Sequence, residues 1–363
     1  MRLAALLLLF VGCAPAKPLP PREVSDAPKE VDAGAPVAES ADASTSAAAP
    51  VAANEPCSPH PCRVSDRAIE IAADGNDVVF LRTFGLKGGP QLLKRGPNDK
   101  EDVILAADIR PSRTTRVRRP VVDKDAIFFA TSEGVASWER NGVLTLIGPQ
   151  SSGAEHLAVD DTNVYFMGNE CTLRKVPKTG GTVEELVKHS AGYCGPPHIA
   201  VDDTNVYFTA DEMVFAIART PKGRGKPAKR VVMSRTEQRS ILGLTVDDAN
   251  VYVLLGPSGI TGVGKGKLVR VSRKGGPAVE LAKTEPANNV HSLGSDATRL
   301  YWLEGGQGKT TLMSMTKPGG EKKPIGEAPG IGYGMAVGKD NVFFVAWETT
   351  GPGSTPRIWR VTK

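Results

Sequence analysis

A ten-residue phrase, Leu157-Ala-Val-Asp-Asp-Thr-Asn-Val-Tyr-Phe166, comes back along this chain and limits what it can fold into. It returns over 199–208 almost letter for letter, over 244–253 with small changes, and more loosely over 293–302 and 335–344. The same template fits 71–80 and 120–129, which makes seven copies. Their leading acid falls at Asp74, Asp123, Asp160, Asp202, Asp247 and Asp296, with Gly338 in the last, at steps of 49, 37, 42, 45, 49 and 42 residues. A unit of that length cannot bury its own apolar face, so copies must pack on one another. With strand patterns and no helical period inside the unit, the expected fold is an all-β, seven-bladed β-propeller of four-stranded antiparallel blades.

Each copy divides at its Asp-Asp-x-Asn centre. The residues before it, such as Leu157-Ala-Val159, make an inner strand A. The box is a turn, since Asp side chains bond the backbone ahead of them and Asn tolerates a left-handed conformation. The recurrent box is not a calcium loop, which needs six to eight oxygens from alternating positions around an essential glycine. Strand B follows, as in Val164-Tyr-Phe166 or Val342-Phe-Phe344. It is apolar throughout rather than alternating, as expected of a sheet covered on both faces. Strand C (Thr172–Val176, Lys267–Val271), a Lys/Arg-x-Gly-Gly turn and strand D complete the unit.

The seventh copy ends at Lys363, directly after its strand C. A missing strand D would leave an open edge with unpaired backbone groups. Residues 61–67, Pro-Cys-Arg-Val-Ser-Asp-Arg, form a spare strand-length segment ahead of the first strand A. The expectation is that this segment pairs as the outer strand of the last blade and closes the ring.

Residues 1–13 carry one Arg and then an apolar run too short to span a bilayer, which makes them a secretion signal. Phe10-Val-Gly-Cys13 resembles a bacterial lipobox, which implies diacylation of Cys13, and Ala14 after it implies the outer membrane, on its periplasmic or surface side. Residues 14–56 are rich in Ala, Pro, Ser and acids and lack any aromatic, so they read as a disordered tether. They carry a net −4, which leaves +8 for residues 57–363. That mild positive charge is spread over many turns and does not form a nucleic-acid footprint. The basic loop 222–230 also lacks the interleaved aromatics that single strands stack on. With Cys13 lipidated, four cysteines remain in an oxidising compartment. Counting leaves three pairings open. Proximity favours Cys57–Cys62 and Cys171–Cys194, and the topology places Cys171 and Cys194 in loops on one face of the ring.

The Val-Asp-x-Thr-Asn-Val-Tyr-Phe phrase together with Val-Pro-Lys-x-Gly-Gly resembles the repeats of β-propeller lipoproteins common in myxobacteria and, more distantly, TolB-like propellers. The resemblance spans about residues 64–363. It implies a fold and an envelope location, and says nothing of an activity.

Chemistry-bearing residues are few. The stretches 303–310 and 259–266 echo a phosphate loop but sit between strands, where no helix follows to hold an anion. No Gly-x-Ser-x-Gly elbow occurs. His156 and His198 stand four residues before the marker acid, with His291 one residue off; Glu70 and Arg119 occupy the same place in other copies. These positions open strand A and so ring one mouth of the central channel. Two readings stand for the histidines. They are polar residues at a strand entrance bonded to loop carbonyls, or they supply imidazoles for a divalent metal or a general base. No cofactor is expected beyond such a metal. The leading functional reading is a monomeric, non-enzymatic binding or scaffolding module. It is anchored to the membrane by lipid, with an envelope protein or glycan as partner. The alternative is a lyase or hydrolase with the histidines as its site.

Overall fold

A computed structural model describes residues 61–66, 68–82, 89–112, 116–149, 153–168, 170–188, 198–210, 213–218, 229–233, 239–258, 265–285, 293–306, 308–348 and 355–363. The signal, the tether, Cys13, Cys57, Cys194 and His291 lie outside them. Among the described residues no helix is long and apolar enough to cross a membrane.

The chain is an all-β propeller with antiparallel four-stranded blades. In A-to-D order the first sheet is Ala68–Asp74, Asp77–Arg82, Gln91–Arg95 and Val103–Ala106. The second is Val117–Val122, Ala126–Thr131, Gly134–Glu139 and Leu144–Pro149; the third is His156–Val159, Asn163–Met167, Thr172–Pro177 and Glu184–Lys188. The fourth is Ile199–Val201, Asn205–Ala210, Met213–Ala218 and Lys229–Met233; the fifth is Arg239–Val246, Asn250–Ser258, Gly266–Ser272 and Val279–Thr284. The sixth is Leu293–Ser295, Arg299–Gly306, Lys309–Thr316 and Lys323–Pro329. The last joins the two ends of the described chain: Ile331–Val337, Asn341–Trp347 and Pro356–Thr362, then Cys62–Asp66 outside them, with Arg63 opposite Trp359. Consecutive strands A touch one another in chain order, and Ile331–Val337 returns to touch Ala68–Asp74.

Strand B explains why these sheets stack. Its successive side chains point to opposite faces, and each face meets a different neighbour. Tyr165 and Met167 pack on Ile199, Val206 and Phe208 of the next sheet, while Val164 and Phe166 pack on Phe128, Ala130 and Val135 of the previous one. The same division holds elsewhere: Tyr207 turns to the fifth sheet, and Tyr252 and Leu254 meet Leu300 and Trp302. Phe343, Val345 and Ile358 close on Ala68, Val78 and Phe80. The core is thus a series of clusters between sheets. Each buried aromatic there contributes about 2–3 kcal/mol by removing its surface from water.

A polar clasp joins neighbouring sheets at the A–B turns. In the box, Asp247 Oδ1 accepts the backbone N–H groups of Ala249 (3.0 Å) and Asn250 (2.8 Å), which is turn chemistry. Its Oδ2 accepts the Tyr252 hydroxyl at 2.9 Å and lies 3.5 Å from Lys317 Nζ of the sixth sheet. In each such pair among the described residues, the cation is the residue directly after strand C of the following sheet. Arg140 Nη1 reaches Asp74 at 3.0 Å, Lys178 reaches Asp123, Arg273 reaches Asp202 at 2.8 Å, and Lys363 reaches Asp296 at 2.8 Å. The glycines that follow, Gly180 (φ 83°) and Gly181 (φ 130°), take the left-handed conformations of the turn.

The seam between last and first sheets is built differently, because Gly338 stands where the acid would be. Lys339 N donates to Gly75 O (2.7 Å) and Asp340 N to Asn76 Oδ1 (2.8 Å). A Cβ on residue 338 would lie 2.6 Å from Gly75 O, so the backbones can approach this closely only with glycine. On the outer side of the seam, Ser65 Oγ of the amino-terminal strand donates to Asp102 Oδ2 at 2.8 Å, beside Arg82 and Arg95.

Candidate functional site

The starts of strands A and the ends of strands B lie at one end of the sheets, and the residues at this mouth include charged side chains on the first three and histidines on the third and fourth. Strand A of the first sheet brings Glu70, that of the second Arg118 and Arg119, and that of the third His156; Glu155 and His198 directly precede strands A of the third and fourth. Arg118 Nη1 donates to Glu155 Oε2 at 2.6 Å, tying the second sheet to the third. The rings of His156 and His198 meet at 5.5 Å between centroids, tilted by 57°. His198 is only 4% exposed, and its backbone exchanges hydrogen bonds with Thr209. Of the five mouth residues expected from the sequence, four are therefore brought to one end of the sheets, and His291 falls outside the described residues.

Glu70 and Arg119 are the unusual pair. Burial pushes the Glu70 carboxyl above the ordinary carboxylate range, against the pull of Arg119, Arg118 and the Arg119 backbone N–H bonded to it. Burial likewise lowers Arg119, although Glu70 and Glu155 oppose it. Both shifts run against the charged form, so neighbouring charges compensate only part of the lost hydration. Both side chains keep some exposure, as expected of groups that line an opening. Among the described residues neither the carboxylate nor the guanidinium makes a hydrogen bond or ion pair with another side chain; the carboxylate accepts the Arg119 backbone N–H.

Backbone irregularities set this geometry. The A–B register slips between Ala68 and Glu70, between Arg118 and Pro120, around Ile241, and between Gly332 and Gly334. Each bulge puts an extra residue at the mouth and re-aims a side chain. Arg119 is the extra residue of its strand and holds φ 46°, a left-handed conformation that costs a side-chain-bearing residue about 1–2 kcal/mol.

The described mouth residues of the later sheets include small and apolar ones. Gly243 lies against Leu293, with no room for a Cβ. Tyr333, the extra residue of the last strand A, is 41% exposed and leans on Trp347 at 5.4 Å. Next to it, a Cβ on Gly334 would meet nothing within 4 Å. Arg118, Glu155, Tyr333 and Trp347 were not among the expected site residues. The copies diverge most at the bulges, and template matching is weakest there. No group of three His, Cys, Asp or Glu suited to a metal occurs among the described residues.

Fold and mouth together define a β-propeller with charged side chains at the mouth of its first sheets and an aromatic pair on the last. No protein-family model matches the chain, and no curated protein matches it. Solved propellers do. An oligogalacturonate lyase from Vibrio parahaemolyticus aligns at TM-score 0.57 and 11% identity, over 83% of this chain and 90% of that one. The C-terminal WD40 domain of Sif2 aligns at TM-score 0.55 and 10% identity, over 84% and 99%. PorZ, an essential bacterial surface component of the type-IX secretion system of Porphyromonas gingivalis, aligns at TM-score 0.53 and 10% identity over 82% of this chain, which spans 39% of PorZ. At such identities the likeness establishes the fold alone.

Proposed function

We propose that this chain is an envelope-tethered, seven-bladed propeller that acts as a non-enzymatic binding module, taking its partner at the strand-A mouth. The single observation that carries the binding reading is the Glu70–Arg119 pair. Buried opposite charges that make no hydrogen bond or ion pair to another side chain among the described residues, and whose neighbours offset only part of the lost hydration, are costly to a fold. They are retained where a ligand completes them. The ring of successive strand-A contacts supports the blade count, and the pairing of Arg63 with Trp359 supports closure by the amino-terminal strand.

The anchor is diacylated Cys13 in the outer membrane, with 14–56 as tether. Cys57–Cys62 and Cys171–Cys194 are the proposed disulfides, a reading supported by the disulfide-bonded state of Cys62 and Cys171. Cys171 also holds φ 57°, fixed at the entrance of strand C.

The test is co-purification of envelope components with the full tethered protein and with a Glu70→Gln/Arg119→Gln variant, metal content being measured on both. Loss of a partner from a folded variant supports the reading; an unchanged partner set refutes it. Turnover of a polysaccharide or ester that disappears in a His156→Ala/His198→Ala variant would establish the hydrolase or lyase alternative instead.

A further inference from the structure

The end of the sheets away from the mouth carries a residue whose chemistry the fold does not use. Asn141-Gly142 is the one Asn-Gly pair in the sequence. It forms the tip of the hairpin between Gly134–Glu139 and Leu144–Pro149. The turns at the same place in the third, fifth and sixth sheets have Thr179, Lys274 and Pro318 before their first glycine. Asparagine differs from these in holding an amide carbon within reach of the next backbone nitrogen. Attack of Gly142 N on Asn141 Cγ forms an N–Cγ bond and breaks the Cγ–Nδ2 bond, and ammonia leaves with the proton of the attacking nitrogen. Water then opens the resulting succinimide at either carbonyl, which gives aspartate or isoaspartate. The step consumes water alone and needs no oxidant, metal or enzyme.

The local structure favours it. Residues from Glu139 to Val143 are all exposed, so water reaches the tip from every side. Gly142 holds φ 93°, and a Cβ there would meet nothing within 4 Å; with hydrogen in its place, nothing screens the nitrogen. The bonds that hold the tip are local. Gly142 N donates to Glu139 O and Glu139 N to Val143 O, both at 2.8 Å. Asn141 Oδ1 accepts Val143 N and its Nδ2 donates to Glu139 Oε2, both at 3.0 Å. Exposed bonds confined to one turn open without unfolding the sheet, and each opening releases the nitrogen and the amide together.

The product bears on a clasp. Arg140, inside the same tip, bonds Asp74 through Nη1 at 3.0 Å and Nη2 at 3.1 Å, and also the carbonyl oxygens of Lys124 and Asp123. Either product exchanges the Nδ2 donor for a carboxylate facing Glu139, so a hydrogen bond becomes a like-charge contact. Isoaspartate also adds a carbon to the backbone between 141 and 142, which the closure of Glu139 on Val143 does not accommodate.

We infer that Asn141 is a site of spontaneous conversion to aspartate and isoaspartate in the folded protein, and that the conversion loosens the Arg140–Asp74 clasp between the first two sheets.

Peptide mapping by mass spectrometry, after incubation in mildly alkaline heavy-oxygen water, tests this on the folded chain, the chain in urea, and the Asn141→Gln and Arg140→Gln variants. In the folded chain the peptide bearing residue 141 should take up heavy oxygen before any other asparagine peptide, with isoaspartate in excess over aspartate. Asn141→Gln should lose that uptake. The converted fraction of the parent should melt about 1–3 °C below the unconverted one, the scale of one partly exposed ion pair in a chain of this size. In Arg140→Gln, which has no clasp to lose, the two fractions should melt together. Conversion in urea but not in the folded chain, or earlier conversion at another asparagine, overturns the site. A converted parent that melts with the unconverted one, or an equal fall in Arg140→Gln, overturns the link to the clasp.

Discussion

Lys363 Nζ lies 2.8 Å from Asp296 Oδ2, so the final residue of the chain fastens its own sheet to the one before it. Asp296 also accepts the Tyr301 hydroxyl at 2.8 Å and the turn N–H groups of Thr298 and Arg299, both at 2.9 Å. One carboxylate therefore shapes the turn, satisfies a buried tyrosine and clasps a neighbour. The partners differ in worth. Lys363→Met should lower stability by about 1 kcal/mol, the scale of a partly exposed ion pair. Asp296→Ala strands the Tyr301 hydroxyl and two backbone donors and should cost about 2–4 kcal/mol. Urea midpoints of the two variants check this ordering, and equal losses would remove the hierarchy.

The clasps set the acid limit of the fold. Asp123, Asp202, Asp247 and Asp296 are all held below their ordinary value of 3.8. For Asp247 burial works against the charge, but the turn N–H groups, Tyr252 and Lys317 outweigh it. A depressed carboxylate contributes stability that is present above its unfolded pKa and lost as pH falls through the folded one. Melting temperature should therefore fall below about pH 4, and less steeply in Asp247→Asn than in the parent. Tyr252 and Tyr301 are shifted the other way, by burial and by their aspartates. Their contribution is present below about pH 10 and lost above it. A melting curve that is flat from pH 2 to 12 contradicts both limbs.

Gly338→Ala should destabilise the seam. Its Cβ would sit 2.6 Å from a backbone oxygen that has no flexible side chain to yield. A loss of about 1–3 kcal/mol is expected from such overpacking. Gly334→Ala meets nothing within 4 Å and should cost less than about 1 kcal/mol, the ordinary penalty being small where space is open. Thermal denaturation of the two variants side by side decides.

Arg119→Gly should raise stability, since glycine adopts φ 46° without the penalty an arginine carries there. The gain is about 1 kcal/mol, after the extra freedom glycine gives the unfolded chain. A lower melting temperature than the parent would mean that the arginine holds the bulge together.

The sheets were legible in the sequence because strand B repeats its aromatic pair and each pair serves two neighbours. The mouth was legible in part. Glu70, Arg119, His156 and His198 keep a fixed offset from the marker acid, and that offset survives folding. Tyr333 and Trp347 come from different strands and meet only through a bulge, which no repeat template registers. The clasp went unread for another reason. Turn chemistry alone accounted for each aspartate, which hid its second role. The tyrosine five residues on and the cation ahead of the Gly-Gly turn recur with it, yet the partners that meet belong to different copies.

The most direct test of the account is the stability of Glu70→Gln and Arg119→Gln measured separately at neutral pH. Burial makes the charged form of each residue unfavourable in the fold even with its neighbours' attraction included. A mouth kept charged for a ligand predicts that each neutral replacement raises the unfolding midpoint or leaves it unchanged. A fall of several kcal/mol in both, of the size that breaking a buried ion pair produces, would make the pair a structural element and contradict the account.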